Sequence, residues 1–404
     1  MPSKTTSRWK LFAPGILLAA IGVGAGDLLT STLAGSEAGL GVIWAVVVGA
    51  FLKWVLGEGL TRWQLATGTT LLEGWNDKLG AGMRWVFFVY LALFSLVVGA
   101  ALVSACGVAG AAVFPIGDLD TSRLVWGIIH SLIGLAMIWR GSFASFERIM
   151  SALVGLMFVT VVVTAVASGP DWGAVAMGFI PSMPSTGSNW VLAVLGGVGG
   201  TVTLLAYGYW IREQGRDSTA DLANCRLDLA LGNSLTGIFG IAVIIIGSQL
   251  KLENSGNALA IEMADQLAQV MGPAGKWIFL AGFWAAVFSS LLGVWQSIPY
   301  LFADFWFLTR GEKVPAVGLT NTRPYSFYLI AIALLPLLFL GNPVRQVQLV
   351  YGIFGAYFLP VLAGTLILLN SRSKWVGEGF QTHWSLNAVL VGAVVLFVYL
   401  GVAS

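Results

Sequence analysis

Asp27 is the one carboxylate in the first long apolar run, and it follows Ala20-Ile21-Gly22-Val23-Gly24-Ala25-Gly26, where every second residue from 22 to 26 is glycine. A carboxylate at membrane depth is costly unless it faces a cavity, a partner or an ion. Glycines at that depth predict a helix break that lines a protein cavity, where freed carbonyls can join the carboxylate as oxygen ligands. The chemistry this spacing allows is capture of a cation. The competing reading makes Asp27 a cap on the restarted half-helix, whose positive end favours a carboxylate without any ligand. A second cluster, Leu195-Gly196-Gly197-Val198-Gly199-Gly200-Thr201, interrupts the apolar run from Trp190 to Ile211. Thr203 follows it, either as an oxygen ligand or as a hydroxyl bonded to its own helix four residues back. The candidate ligands are therefore Asp27, Thr203 and the backbone at Gly24 and Gly200.

Further polar residues lie at the same depth. Lys53 sits in Ala50-Phe51-Leu52-Lys53-Trp54, too deep to reach water easily. Its partner is either Glu58, five positions along at imperfect helical spacing, or Asp27. Pairing with Asp27 would neutralise the site and favour an anionic or zwitterionic solute. Tyr207, Tyr209, Trp210 and Gln296 could line a pocket, although interhelical packing explains such residues equally well. Arg212, Glu213, Arg216 and Asp217 form a mixed-charge cluster after the second break, and a solvated helix end is preferred over an ion-paired gate. No phosphate-binding loop, His-Glu-x-x-His helix or spaced Ser/His/Asp set is found, so no enzyme and no cofactor are expected.

The elements that must position these residues are membrane spans. The 404 residues are 57% hydrophobic and 10% charged with 17 Trp, and the mean hydropathy is +0.85. That is a polytopic membrane composition. A net charge of +2, without a basic stripe, gives no reason to expect a nucleic-acid partner. Cys106 and Cys225 lie at different depths and are expected to be free thiols. The N-terminal segment is expected to be a retained helix, since it lacks a cleavage site. Runs of about 20 apolar residues predict eleven spans, near 11–35, 39–61, 84–113, 123–140, 148–168, 190–211, 229–249, 277–305, 325–341, 347–369 and 385–403. With the N-terminus cytoplasmic, sixteen Lys and Arg fall in inner loops and four, Arg123, Lys251, Lys276 and Arg345, in outer ones. The C-terminus then lies outside.

The broken helices are first and sixth, which suggests two five-helix inverted repeats, near 11–168 and 190–369, plus an extra helix near 385–403. The whole chain, 1–404, reads as one all-α transporter domain of the LeuT type. The loop from Leu250 to Lys276, with Glu253, Glu262 and Asp265, is expected to form an amphipathic surface helix.

Pro14-Gly15-Ile16-Leu17, Arg62-Trp63-Gln64-Leu65-Ala66-Thr67-Gly68 and Gly200-Thr201-Val202 resemble the pattern of the natural resistance-associated macrophage protein (Nramp) family of divalent metal transporters. The resemblance implies that family's fold. Its first-helix signature, Asp-Pro-Gly-Asn, falls on Gly24-Ala25-Gly26-Asp27, and its sixth-helix Met-Pro-His falls on Thr203-Leu204-Leu205. The soft thioether and the imidazole are gone, and an oxygen-only set suits hard cations. Magnesium-transporting relatives in the Nramp superfamily are similar in lacking the methionine.

The third helix has no Asp, Glu or His, and His130 is the only histidine in a span, so proton coupling is not expected. The expected function is uncoupled, alternating-access transport of a hard divalent cation, magnesium first and manganese second, by a monomer in the cell membrane. The alternatives are a same-fold carrier of a small organic or anionic solute and a non-transporting sensor, as an Nramp-like domain is in plant ethylene signalling.

Overall fold

The computed structural model describes residues 13–24, 26–183, 188–197, 200–250, 257–312 and 318–403, and these form helices and turns with no strand among them. The described residues open with α1 (Ala13–Gly22), turn at Val23 and Gly24, and resume through a π turn (Gly26–Thr30) into α2 (Ser31–Ala38). A 3-10 turn (Gly39–Val42) leads to α3 (Ile43–Thr67), then α4 (Leu71–Leu79), α5 (Ala81–Val113), α6 (Leu119–Arg140), α7 (Phe143–Ala167) and the short α8 (Trp172–Met177). The second broken helix comprises α9 (Ser188–Gly197), a 3-10 turn (Val202–Leu205) and α10 (Ala206–Glu213). Then come α11 (Leu222–Ser248) and α12 (Leu259–Arg310), which kinks at Gly272, and α13 (Arg323–Leu334), which tightens into a 3-10 turn (Leu335–Phe339). The chain closes with α14 (Val344–Ala356), α15 (Phe358–Asn370), α16 (Ser373–Val376) and α17 (Trp384–Ala403).

Local chemistry sets several of these ends. Thr70 and Glu73 form a reciprocal capping box at α4, so two otherwise orphaned N–H groups are satisfied. Asp118 caps α6, and the Thr121 N–H and hydroxyl hold its carboxyl below the usual range. Pro336 lies in the 3-10 turn (Leu335–Phe339) that ends α13, where it cannot donate to the α ladder.

Nine helical stretches among the described residues are long and apolar enough to cross a bilayer. This differs from the expected eleven because Asp27–Thr67 reads as one 41-residue stretch and Arg323–Phe339 as a shorter apolar helix. α1, at 10 residues, is a half-helix. Cys225 belongs to α11, and both cysteines are buried and free. The expected surface helix is the first part of α12, with Leu259, Ala260, Met263 and Ala264 buried on one face and Asp265 exposed. Lys4, Arg8, Lys10, Ala25, Val198, Gly199, Lys251 and Glu253 lie outside the described residues.

Burial separates the centre from the lipid-facing rim. Only 22% of the apolar window of α17 is buried, and Val395, Val398 and Val402 face outward, as a rim helix in hydrocarbon can. The broken helix six is covered by protein on nearly every residue of α9 and α10. Irregular backbone at membrane depth requires that cover.

Each broken helix is braced by one unbroken helix from the other half of the chain. Along α3, Gly49 faces the backbone of Leu195, Lys53 donates to Gly196 O at 3.0 Å, and Gly57 faces Leu204 and Leu229. Farther on, Gln64 donates to Gly208 O at 2.5 Å. α11 does the same for helix one: Asp228 accepts from Gly15 N–H at 2.8 Å, and Gly232 packs so closely that a Cβ there would lie 2.5 Å from Gly15 O.

Candidate functional site

Asp27 is completely buried in the π turn after the first break. The backbone here is widened, not fully unwound, since Val23 N–H donates to Ala19 O at 2.6 Å and Leu28 N–H to Gly24 O at 2.8 Å. One lone pair of the Gly24 carbonyl is therefore engaged by the chain itself. The residue is glycine for a steric reason. A Cβ at Gly24 would lie 1.4 Å from Ser290 Oγ and 2.1 Å from Ser290 Cβ, so α12 occupies the space of the missing side chain. Ser290 is thus a buried hydroxyl beside the break that the sequence did not single out. No motif marks it, because it is one serine among many in apolar helices.

The second break turns at Gly200, whose φ of 69° is accessible to glycine at little cost. Thr201 follows at φ −126° and ψ −87°, and the 3-10 turn then carries Thr203. Both threonines are buried. Their hydroxyls, and those of Thr30 and Ser31 after the first break, make no hydrogen bond among the described residues. Buried hydroxyls normally have a partner, so these oxygens retain capacity for water or an ion. Leu204 and Leu205, where the resemblance places the family's proline and histidine, are core residues.

The other expected site residues separate into distinct neighbourhoods. Lys53 is fully buried and reaches Gly196 O, not Glu58. Glu58 meets Arg62 at 2.5 Å and Arg226 at 2.6 Å, and Arg62 also donates to Phe380 O and Gln381 O. That cluster joins α3 to α11 and to the loop that precedes α17. The π turn that carries Asp27 packs on α9, the half-helix whose carbonyl Lys53 engages.

Tyr207 faces α11, where its hydroxyl donates to Asp228 at 2.8 Å. Tyr209, two residues on, points to the other side and donates to Asp304 of α12 at 2.5 Å, a carboxylate that also accepts from Thr70 at 2.8 Å. α10 is therefore held between two buried carboxylates that spacing alone did not reveal. The Arg212 cluster also needs correction: Arg212, Glu213 and Asp217 are exposed as expected, but Arg216 is buried and donates to Asp228 at 3.0 Å. Gln296 accepts from Trp210 Nε1 at 3.0 Å. It borders a cavity of about 140 Å³ with Glu213, Tyr300, Asn321 and Tyr325, and the walls of that cavity do not include Asp27. Gln296 lies six residues beyond Ser290 on α12, or roughly 9 Å along the helix.

No group of three or more His, Cys, Asp and Glu that could hold a metal is found among the described residues. The site offers one carboxylate and several hydroxyls. The family described as natural resistance-associated macrophage protein-like matches residues 15–404. The chain belongs to the Nramp family. It is a multi-pass membrane protein of that family.

Among its relatives, the divalent metal cation transporter MntH of Deinococcus radiodurans is 21% identical over 69% of this chain and 65% of its own length. The divalent metal cation transporter MntH 1 of Pseudomonas aeruginosa is 26% identical over 62% of this chain and 58% of its own. The chain thus spans about three fifths of the length of these curated relatives. A crystal structure of the Eremococcus coleocola manganese transporter, in complex with an aromatic bis-isothiourea substituted compound, superposes with a TM-score of 0.75 at 16% identity, covering 99% of this chain and 87% of that one. MhsT in complex with L-phenylalanine superposes at 0.63, also at 16% identity, with 98% of each chain covered. These two likenesses establish the fold.

Proposed function

We propose that this Nramp-family chain moves a hard divalent cation across the cell membrane, magnesium in preference to manganese, by alternating access around Asp27 and without proton coupling. One observation carries the reading: a completely buried carboxylate at the first break accompanies four buried hydroxyls of the two breaks, Thr30, Ser31, Thr201 and Thr203, that have no partner among the described residues. Oxygen donors without thioether, thiolate or imidazole suit a hard ion. Magnesium keeps several waters and takes one or two carboxylates. The carbonyls at Gly24 and Gly200 would complete the shell. The N-terminus lies in the cytoplasm and the C-terminus outside, following the distribution of Lys and Arg. The relatives named for divalent metal cation transport support the substrate class.

Proteoliposomes test this directly. Magnesium or manganese enters wild-type vesicles, a trapped pH dye stays constant, and Asp27→Ala abolishes uptake. Failure of magnesium, manganese and calcium alike, or full transport by Asp27→Ala, overturns the reading. Acidification that tracks cation uptake overturns its uncoupled part.

A second reading assigns a small organic or anionic solute to the same fold, and the buried Lys53 favours it. A thermal-shift screen over divalent cations and small solutes separates the two, because a ligand of the native state raises apparent stability.

A further inference from the structure

Lys53 is the charged group that the oxygen site leaves unused. It lies fully buried inside α3, where an ammonium is costly unless it is paired and hydrogen-bonded. Its Nζ donates to Gly196 O at 3.0 Å. That carbonyl belongs to the last turn of α9, where carbonyls lack intrahelical donors and form the negative end of the half-helix. Such carbonyls are what an unwound helix presents to a free cation.

The packing places the ammonium there. Gly49 and Gly57, one turn to either side of Lys53, let α3 approach Leu195 before the break and Leu204 after it. Gly196 is pressed from its other flank by α14, since a Cβ there would lie 2.2 Å from Gly352 O. Lys53 therefore crosses helix six at its interruption, and the π turn that carries Asp27 packs against the same half-helix, α9.

We propose, on the cation reading above, that Lys53 is a tethered cation: its ammonium fills one cation position at the break of helix six and balances Asp27 while the carrier is empty. The formal charges of the two side chains then cancel. An empty site of this kind changes its access without a second ion or proton to cover the carboxylate. Once loaded, it carries the full charge of the bound ion, so Lys53 also limits affinity and favours release. Removing the side chain leaves a position that accepts a primary alkylammonium.

The test uses purified full-length protein in detergent. Lys53→Ala removes the side chain beyond Cβ, and propylammonium supplies the missing three carbons and charge. Propylammonium is expected to raise the Tm of Lys53→Ala and leave wild type unmoved, whereas 1-propanol, of similar shape without charge, raises neither. Lys53→Met keeps the stem without the ammonium and should bind magnesium about tenfold more tightly, equivalent to roughly 1.4 kcal/mol of lost repulsion.

Equal effects of propanol and propylammonium, no effect of either, or unchanged magnesium affinity overturn the proposal. A cycle over Asp27→Asn and Lys53→Met answers the case in which Lys53→Ala does not fold. The double variant is expected to lose less Tm than the two single losses together, and additive or greater loss overturns the assignment. Failure of wild-type divalent flux would count against the transport reading, while the amine and cycle measurements would still decide Lys53.

Discussion

Gly24→Ala probes how closely helix one lies against α12. The added Cβ would meet Ser290 Oγ at 1.4 Å, Ser290 Cβ at 2.1 Å and Ala286 O at 3.2 Å. Rotating Ser290 about χ1 moves its hydroxyl but not its Cβ. Restoring an ordinary carbon contact of about 3.5–4 Å requires the break and α12 to part by roughly 1.5 Å. An interior packed like an organic crystal does not absorb such a shift, so overpacking should cost about 1–3 kcal/mol.

Ser290→Ala retains the Cβ and should rescue little. Ser290→Gly removes both clashing atoms and should recover most of the loss, less about 1 kcal/mol for a glycine inside a helix. Thermal unfolding in detergent, followed through the 17 tryptophans, gives the four corners of the cycle. Adjacent side chains of this kind couple by about 0.5–3 kcal/mol. Equal rescue by Ser290→Ala and Ser290→Gly would show that the clash runs through the hydroxyl alone. A neutral Gly24→Ala would refute the close approach altogether.

Glu58→Gln keeps the shape but removes the charge that faces Arg62 and Arg226. Breaking a buried pair costs about 3–5 kcal/mol, and the lower end is expected because Arg226 is 42% exposed; an unchanged Tm would refute it. Tyr209→Phe should cost about 1.5–3 kcal/mol, as for hydrogen bonds to charged groups. Tyr207→Phe should cost less, because Asp228 keeps Arg216 and the Gly15 N–H, and paired thermal denaturation reads the order. Gly200→Ala forces a side chain into φ 69°, a strain of about 1–2 kcal/mol, visible as a lower Tm together with slower vesicle uptake.

Much of this molecule was legible before its coordinates. Apolar run length marked most spans, because a bilayer sets it, and paired glycine clusters located both breaks. The burial of Asp27 at the first break followed from the cost of a carboxylate in hydrocarbon. What was not legible is side-chain pairing across helices. Lys53 was weighed against Glu58 and Asp27, yet it donates to a carbonyl 143 residues away. Arg216 resembled a solvated charge because Asp228, its partner, lies 12 positions later, on α11. Ser290 carried no signal at all, since its importance comes from the glycine it faces.

The two acceptors that α3 engages on helix six, Gly196 O and Gly208 O, flank its gap. Their donors, Lys53 and Gln64, are eleven residues apart on one uninterrupted rod, a spacing of roughly 16 Å at 1.5 Å per residue. A continuous helix stretches very little, so this ruler fixes the separation of α9 from α10. Opening the gap like a hinge would strip one of those bonds, whereas carrying α3, α9 and α10 as a single body keeps both. On the proposed transport reading, this body would slide past its neighbours as a unit, and disulfides that pin α3 to α9 should be far better tolerated than disulfides that pin it to a helix outside the pair.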